Sequence, residues 1–322
     1  MDIELPHDPL AHAIYNDQYD AMILILQHTT RLCSIRREDI YGWRHTTHLL
    51  LYISKGGHDS YVIDSLVRLG SHIEEKGYLF DTTPCIMTTP LELAIEKGNI
   101  EAVRTMLSYP RRERIREYLY MAITEKQSAI AMLIMDMCCV TDVNAINVCG
   151  NTLLSRAVTT KQTDIAMRLL TYPDIDVNMI YDRGNTALHH MIDIGDESLV
   201  RALLRDHAVD TRVINSNKRS PLHKAIIKGR SNILKLLLEY DPLSARLLIN
   251  KTCYKKHCMV SCVHLAVRKG SIVMLDMLLP YGPDLNLVSY DNGPTPLALS
   301  ADLPGTNGLK VVQWLKDHGA IR

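Results

Sequence analysis

The sequence predicts an all-α solenoid of stacked helix-turn-helix units with short β-hairpin or loop fingers. Three observations predict it. Residues 184–210, GNTALHHMIDIGDESLVRALLRDHAVD, spell one such unit. Thr186 suits a helix N-cap, and Ala187, Leu188 and Met191 form a short apolar face. Gly195 supplies the left-handed stop, and Leu199, Val200, Leu203 and Leu204 begin a second apolar face. This unit buries only one side, so it needs neighbours. The third observation is that the chain supplies them. Sites matching Thr186 fall at Asp8, Thr47, Thr89, Glu117, Thr152, Ser220, Ser261 and Thr295. Nine units then fill residues 1–322 as a single array.

In chain order, the first unit reads DPLAHAIYNDQ from Asp8, with Asp17 where Gly is expected. It is read as the capping unit. The second, from Thr47, carries extra residues around Gly56 and Gly57, and a long connection (74–88) leads to Thr89. The fourth, from Glu117, is the most degenerate. It follows the basic PRRERIR segment and has Lys126 at the Gly position; the fifth has Lys161 there. A non-Gly residue held left-handed costs about 1 kcal/mol, so the middle of the chain is expected to be locally weaker. The gap between Ser220 and Ser261 is long, with extra sequence at 241–260, and the ninth unit has a Pro/Gly insert at 302–308.

The segments TPLELAIEKGN (89–99), TALHHMIDIGD (186–196), SPLHKAIIKGR (220–230), SCVHLAVRKGS (261–271) and TPLALS (295–300), with tails such as DVNAIN and DVNMIYD, resemble the ankyrin repeat. The resemblance implies that His189, His223 and His264 tie adjacent repeats by hydrogen bonds rather than act on a substrate. It also implies that the residues before each capping Thr or Ser form a finger, and that the two before the helix-ending Gly line a concave face. Pro90, Pro221 and Pro296 fit the first helical turn, where no N–H bond is lost.

Chemistry is sparse. There is no Gly-rich phosphate loop, no G-x-S-x-G and no H-E-x-x-H. Cys253, His257, Cys258, Cys262 and His264 cluster in sequence, and thiolate and imidazole suit zinc. Their C-x4-C-x3-C spacing is not that of a structural site, however, and Cys262 and His264 occupy ordinary repeat positions. His45 and His48, beside Trp43, are read as polar residues at the mouth of the second unit. No catalytic residue, metal or cofactor is assigned.

Charge is more informative. The net charge is zero, which removes a global field for nucleic acid or membrane, and no stretch has the apolar length of a span. Yet between Thr211 and Leu238 lie Arg212, Lys218, Arg219, Lys224, Lys228, Arg230 and Lys235, without one acid. The residues expected to bind a partner are Asp182, Arg183, His190 and Asp193 in the sixth unit, Lys218, Arg219, Ile227 and Lys228 in the seventh, Arg268 and Lys269 in the eighth, and Tyr290 and Asp291 in the ninth. A basic groove favours a protein partner with an acidic surface or peptide.

The expected function is therefore a non-catalytic protein–protein scaffold, adaptor or co-regulator. The chain is expected to be monomeric and, lacking a basic, apolar leader, cytoplasmic or nuclear. Two alternatives stay open: an enzyme with a pocket built into the groove, and a pathogen effector directed at host proteins.

Overall fold

The computed structural model describes residues 8–31, 35–39, 42–79, 86–109, 114–255, 258–289 and 293–321. They divide into two compact units, Met1–Asp142 and Val143–Arg322. Among the described residues no helix is long and apolar enough to cross a membrane.

In the first unit, inner helices α1 (Pro9–Tyr15), α3 (His48–Ser54), α5 (Pro90–Glu96) and α7 (Ile115–Thr124) pack in sequence, each on the next. Outer helices α2 (Tyr19–His28), α4 (Ser60–Arg68), α6 (Ile100–Leu107) and α8 (Ser128–Met137) do the same. Two antiparallel hairpins, β1 (Ile35–Asp39) with β2 (Gly42–Thr46) and β3 (Gly77–Leu79) with β4 (Ile86–Thr88), are the fingers. The side chains of Trp43 and His45 lie outside the described residues. His48 is buried and its Nε2 lies 2.8 Å from Asp8 Oδ2, so it joins the first two repeats.

The second unit repeats the plan. Inner helices are α9 (Leu153–Thr159), α11 (Ala187–Ile194), α13 (Pro221–Lys228), α16 (Cys262–Arg268) and α18 (Pro296–Ala301). Outer helices are α10 (Thr163–Leu169), α12 (Glu197–Asp206), α14 (Ser231–Tyr240), α17 (Ile272–Leu278) and α19 (Gly305–Asp317). Each row again packs helix on successive helix. Ala157, Ala225 and Ala266, at the same place in three repeats, are fully buried, which lets inner helices approach closely.

Eight of the nine expected starts are N-caps: Asp8, Thr47, Thr89, Thr152, Thr186, Ser220, Ser261 and Thr295. The fourth departs. Its helix is capped at Arg114, three residues before Glu117, which puts Glu117 in the first turn. A carboxylate is favoured there by the helix dipole, and Ile115 gains burial.

Gly98, Gly195, Gly229 and Gly270 end inner helices at positive φ, and so do Asp17, Lys126 and Lys161. Lys126→Gly and Lys161→Gly are each expected to raise stability by about 1 kcal/mol. Urea midpoints measure this; a fall in either variant would show that the lysine side chain, not its backbone, matters.

An asparagine ladder runs along the second unit. Asn144 donates to the Asp174 carbonyl at 2.6 Å and accepts from the Asp176 N–H at 2.8 Å. Asn178 does the same with Ala208 and Asp210, both at 2.8 Å, and Asn250 with Gly282 and Asp284 at 3.2 and 2.8 Å. In the seventh repeat the equivalent residue is Arg212, which turns to Asp210 instead. The extra sequence that follows forms a helix, α15 (Pro242–Leu248), started by Asp241 as cap with Pro at its first turn, and then a hairpin of β5 (Cys253–Lys255) and β6 (Cys258–Val260). Cys253 and Cys262 are buried in this region; His257 and the Cys258 side chain lie outside the described residues.

Candidate partner-binding site

The site is built from two fingers and the two inner helices that follow them. In the sixth repeat, Tyr181 and Asn185 form an antiparallel bridge around Asp182, Arg183 and Gly184. Gly184 has φ +78°, and a Cβ there would sit 3.2 Å from both Asn215 Cα and the Ser216 nitrogen. Its lack of a side chain is what lets the seventh-repeat finger lie against it. The contact is sealed by the Ser216 N–H donating to the Arg183 carbonyl at 2.9 Å. Asn215 organises the second finger: its Oδ1 accepts from the Asn217 and Arg219 N–H groups, both at 3.0 Å. Its Nδ2 donates to Asn185 Oδ1 at 3.0 Å, joining the fingers.

Behind the fingers, α11 and α13 are held in register by the signature histidines. His189 is fully buried, with Nδ1 3.2 Å from the Thr186 nitrogen and Nε2 3.1 Å from the Arg219 carbonyl oxygen of the next repeat. His223 Nε2 reaches the Lys251 carbonyl oxygen at 2.8 Å, and His264 Nε2 that of Pro294 at 3.2 Å. All three occupy the inter-repeat role that the resemblance implies. Burial is the main cause that holds each of them below the ordinary imidazole value, His189 at about 4.

Fingers and helices together enclose a recess of about 240 Å³. Seven of the residues expected from sequence line it: Asp182, Arg183, His190, Asp193, Arg219, Ile227 and Lys228. Asn185, Asn215, Asn217 and Lys224 complete the lining. Lys218 stands exposed at the finger tip with φ +53°. Arg268 and Lys269 belong to the following repeat and do not line this recess, and Tyr290 and Asp291 lie outside the described residues.

Asp193 is the electrostatic centre. Lys224 Nζ lies 2.6 Å from its Oδ2, and Lys228 Nζ lies 3.2 Å from its Oδ1. Burial alone would raise the Asp193 pKa, but hydrogen bonds and charge from Lys224 and then Lys228 outweigh it and hold the carboxyl below its ordinary value. Burial also lowers the Lys224 pKa, against the pull of Asp193. Beside them His190 stacks on Tyr181, with centroids 5.4 Å apart and planes at 15°. The buried His190 Nε2 and Tyr181 hydroxyl have no hydrogen-bond partner among the described residues. Burial, then the Lys224 charge, holds the His190 imidazole below its ordinary value.

The run of seven cations is partly neutralised in place. Arg212 pairs with Asp210, Lys235 with Glu239, and Arg230 donates to the Ile194 carbonyl. Within the recess, four cations (Arg183, Arg219, Lys224, Lys228) still face two carboxylates. Sequence reasoning missed Lys224 as a site residue. It stands one place after His223, as His190 stands after His189, so the register that selected His190 selects Lys224 too.

Residues 154–246, which hold every lining residue of the recess, match the family model of ankyrin repeats in 3 copies. These residues carry ankyrin repeats. Among solved structures the chain is similar to the ankyrin repeat domain of Bcl-3, described as a unique member of the IkappaB protein family. That similarity has a TM-score of 0.52 at 21% identity, and covers 70% of this chain and 98% of that one. At this identity the likeness shows the fold of the chain and no more. No curated protein matches its sequence.

Proposed function

We propose that this protein is a non-catalytic scaffold that binds a protein partner through its fingers and inner helices, centred on the sixth and seventh repeats. Repeat arrays present preorganised concave surfaces that lose little ordering entropy on binding. The observation that carries the reading is the convergence of Arg183, Arg219, Ile227 and Lys228 around one recess between successive fingers. Its excess of cations favours an acidic partner surface. Residues 1–322 act as one array and as a monomer. The exposed thiols of Cys139 and Cys149 suit a reducing compartment, cytoplasm or nucleus.

Charge reversal tests this. Lys218→Glu, Arg219→Glu and Arg268→Glu together are expected to remove at least about 90% of partner recovery in affinity capture, a loss of roughly 1.4 kcal/mol or more. The melting temperature should stay within about 2 °C, because surface substitutions cost little. Partner recovery equal to that of the parent would reject the face.

A further inference from the structure

The most unusual arrangement in the second unit is two ammonium groups on one carboxylate. The two lysines are not equivalent. Lys224 is buried, lies 2.6 Å from Asp193 Oδ2 and also donates to Asn185 Oδ1 at 3.3 Å. It is fixed by the fold. Lys228 lies one turn further along α13, its side chain is 45% exposed, and Asp193 at 3.2 Å is its one carboxylate partner among the described residues. One negative charge is therefore shared by two positive ones at the wall of an open recess.

We infer that Asp193 is an internal stand-in for a carboxylate of the partner, and that Lys228 exchanges Asp193 for a Glu or Asp side chain of an acidic segment inserted between the sixth and seventh fingers. The inference rests on the proposed binding face and names the chemistry of its anchor. Three observations support it. The recess already stabilises a carboxylate at this point, so a second one meets a prepared environment. Its volume of about 240 Å³ admits a single side chain with its backbone approach rather than a folded element. Removal of Lys228 from Asp193 leaves Lys224 in place to hold that charge, so the exchange strands no buried ion.

Arg219 reinforces this choice. It lines the same recess, and its backbone carbonyl is fixed by His189 while its N–H is fixed by Asn215. The guanidinium is thus carried by a finger whose backbone is held on both sides.

The consequence is a gain where loss would be usual. Replacing Asp193 by Asn removes the internal competitor and should tighten binding of an acidic peptide. The probe is a fluorescein-labelled octaglutamate peptide, read by anisotropy with the full chain at low salt; an octalysine peptide and a phosphoserine peptide of equal charge are the comparison arms. Asp193→Asn is expected to bind octaglutamate about 3- to 10-fold more tightly, and Lys228→Met about 3- to 10-fold more weakly, than the parent. Asp193→Asn also leaves Lys224 short of a counter-charge and can unfold the second unit. The double variant Asp193→Asn/Lys224→Met removes the buried pair together, leaves the net charge of the recess as in the parent and should show the same tightening.

Equal octaglutamate affinity in parent, Lys228→Met and the double variant would overturn the inference. So would absence of octaglutamate binding, or binding of the phosphoserine peptide alone. If partner capture is lost on reversal of Lys218, Arg219 and Arg268 yet is indifferent to Asp193 and Lys228, the scaffold reading stands and the exchange falls. If neither set changes capture, the face itself is wrong.

Discussion

The protein is expected to lose stability steeply as pH falls from about 6.5 towards 4, a loss that begins above the ordinary carboxylate range. In the unfolded chain a histidine takes up a proton near pH 6.5, whereas folded His189 resists until about 4. Between those values the unfolded state binds more protons, so acid favours unfolding. Stability from this group is whole above pH 6.5 and gone below 4. His190, His223 and His264 are shifted in the same direction, and burial is the leading cause for each. At 1.36 kcal/mol per pKa unit, His189 alone contributes about 3 kcal/mol over the window. A series of melting curves from pH 8 to pH 4 checks this. A flat melting temperature down to pH 4.5 would show that these imidazoles are hydrated in solution.

The second large effect concerns His223. It has no exposed surface, shares the Ser220 cap and meets the Lys251 carbonyl at 2.8 Å. His223→Ala is expected to cost about 3 kcal/mol, from lost hydrogen bonds, the Lys251 carbonyl left without its donor, and the cavity. In a solenoid this loss falls mainly on one inter-repeat boundary. Amide exchange should therefore accelerate first in α13, α16 and the β5–β6 hairpin, and the acid sensitivity should become shallower because one buried imidazole is gone. Uniform acceleration across the second unit would mean that its repeats unfold as one body.

Much of this architecture was legible because each repeat states its own boundaries. Thr152, Thr186 and Ser220 cap where a hydroxyl is needed, and Gly195 and Gly229 stop helices where φ is positive. Lys161 kept that register without glycine, so counting from the Thr152 cap located the left-handed residue even where its identity did not. The fourth helix start was misplaced because Arg114 makes no side-chain cap bond, leaving no chemical mark to read. Helix α15 was read only as extra sequence, although its Asp241-Pro242 start repeats the Asp8-Pro9 grammar of α1. In the site, finger and groove positions followed from register. Asn185 and Asn215 did not, because their role is to bond one another across 30 residues of chain, and nothing local announces such a pair.

The interruption of the asparagine ladder has a consequence for how this chain tolerates change in length. Where the rail runs, its Asn residues meet a carbonyl 30 to 33 residues further on and an N–H 32 to 35 residues further on, so it already spans repeats of different length. At Arg212 the rail is already broken, Thr211 bridges instead to Asp241, and Asn250 starts it afresh on the far side of α15. Leu243 and Leu247 point outward between those two anchors. Among the described residues, 242–249 thus lie between two anchors, and a change of length on their exposed Leu243 and Leu247 face leaves the Asn250 pairs with Gly282 and Asp284 in phase.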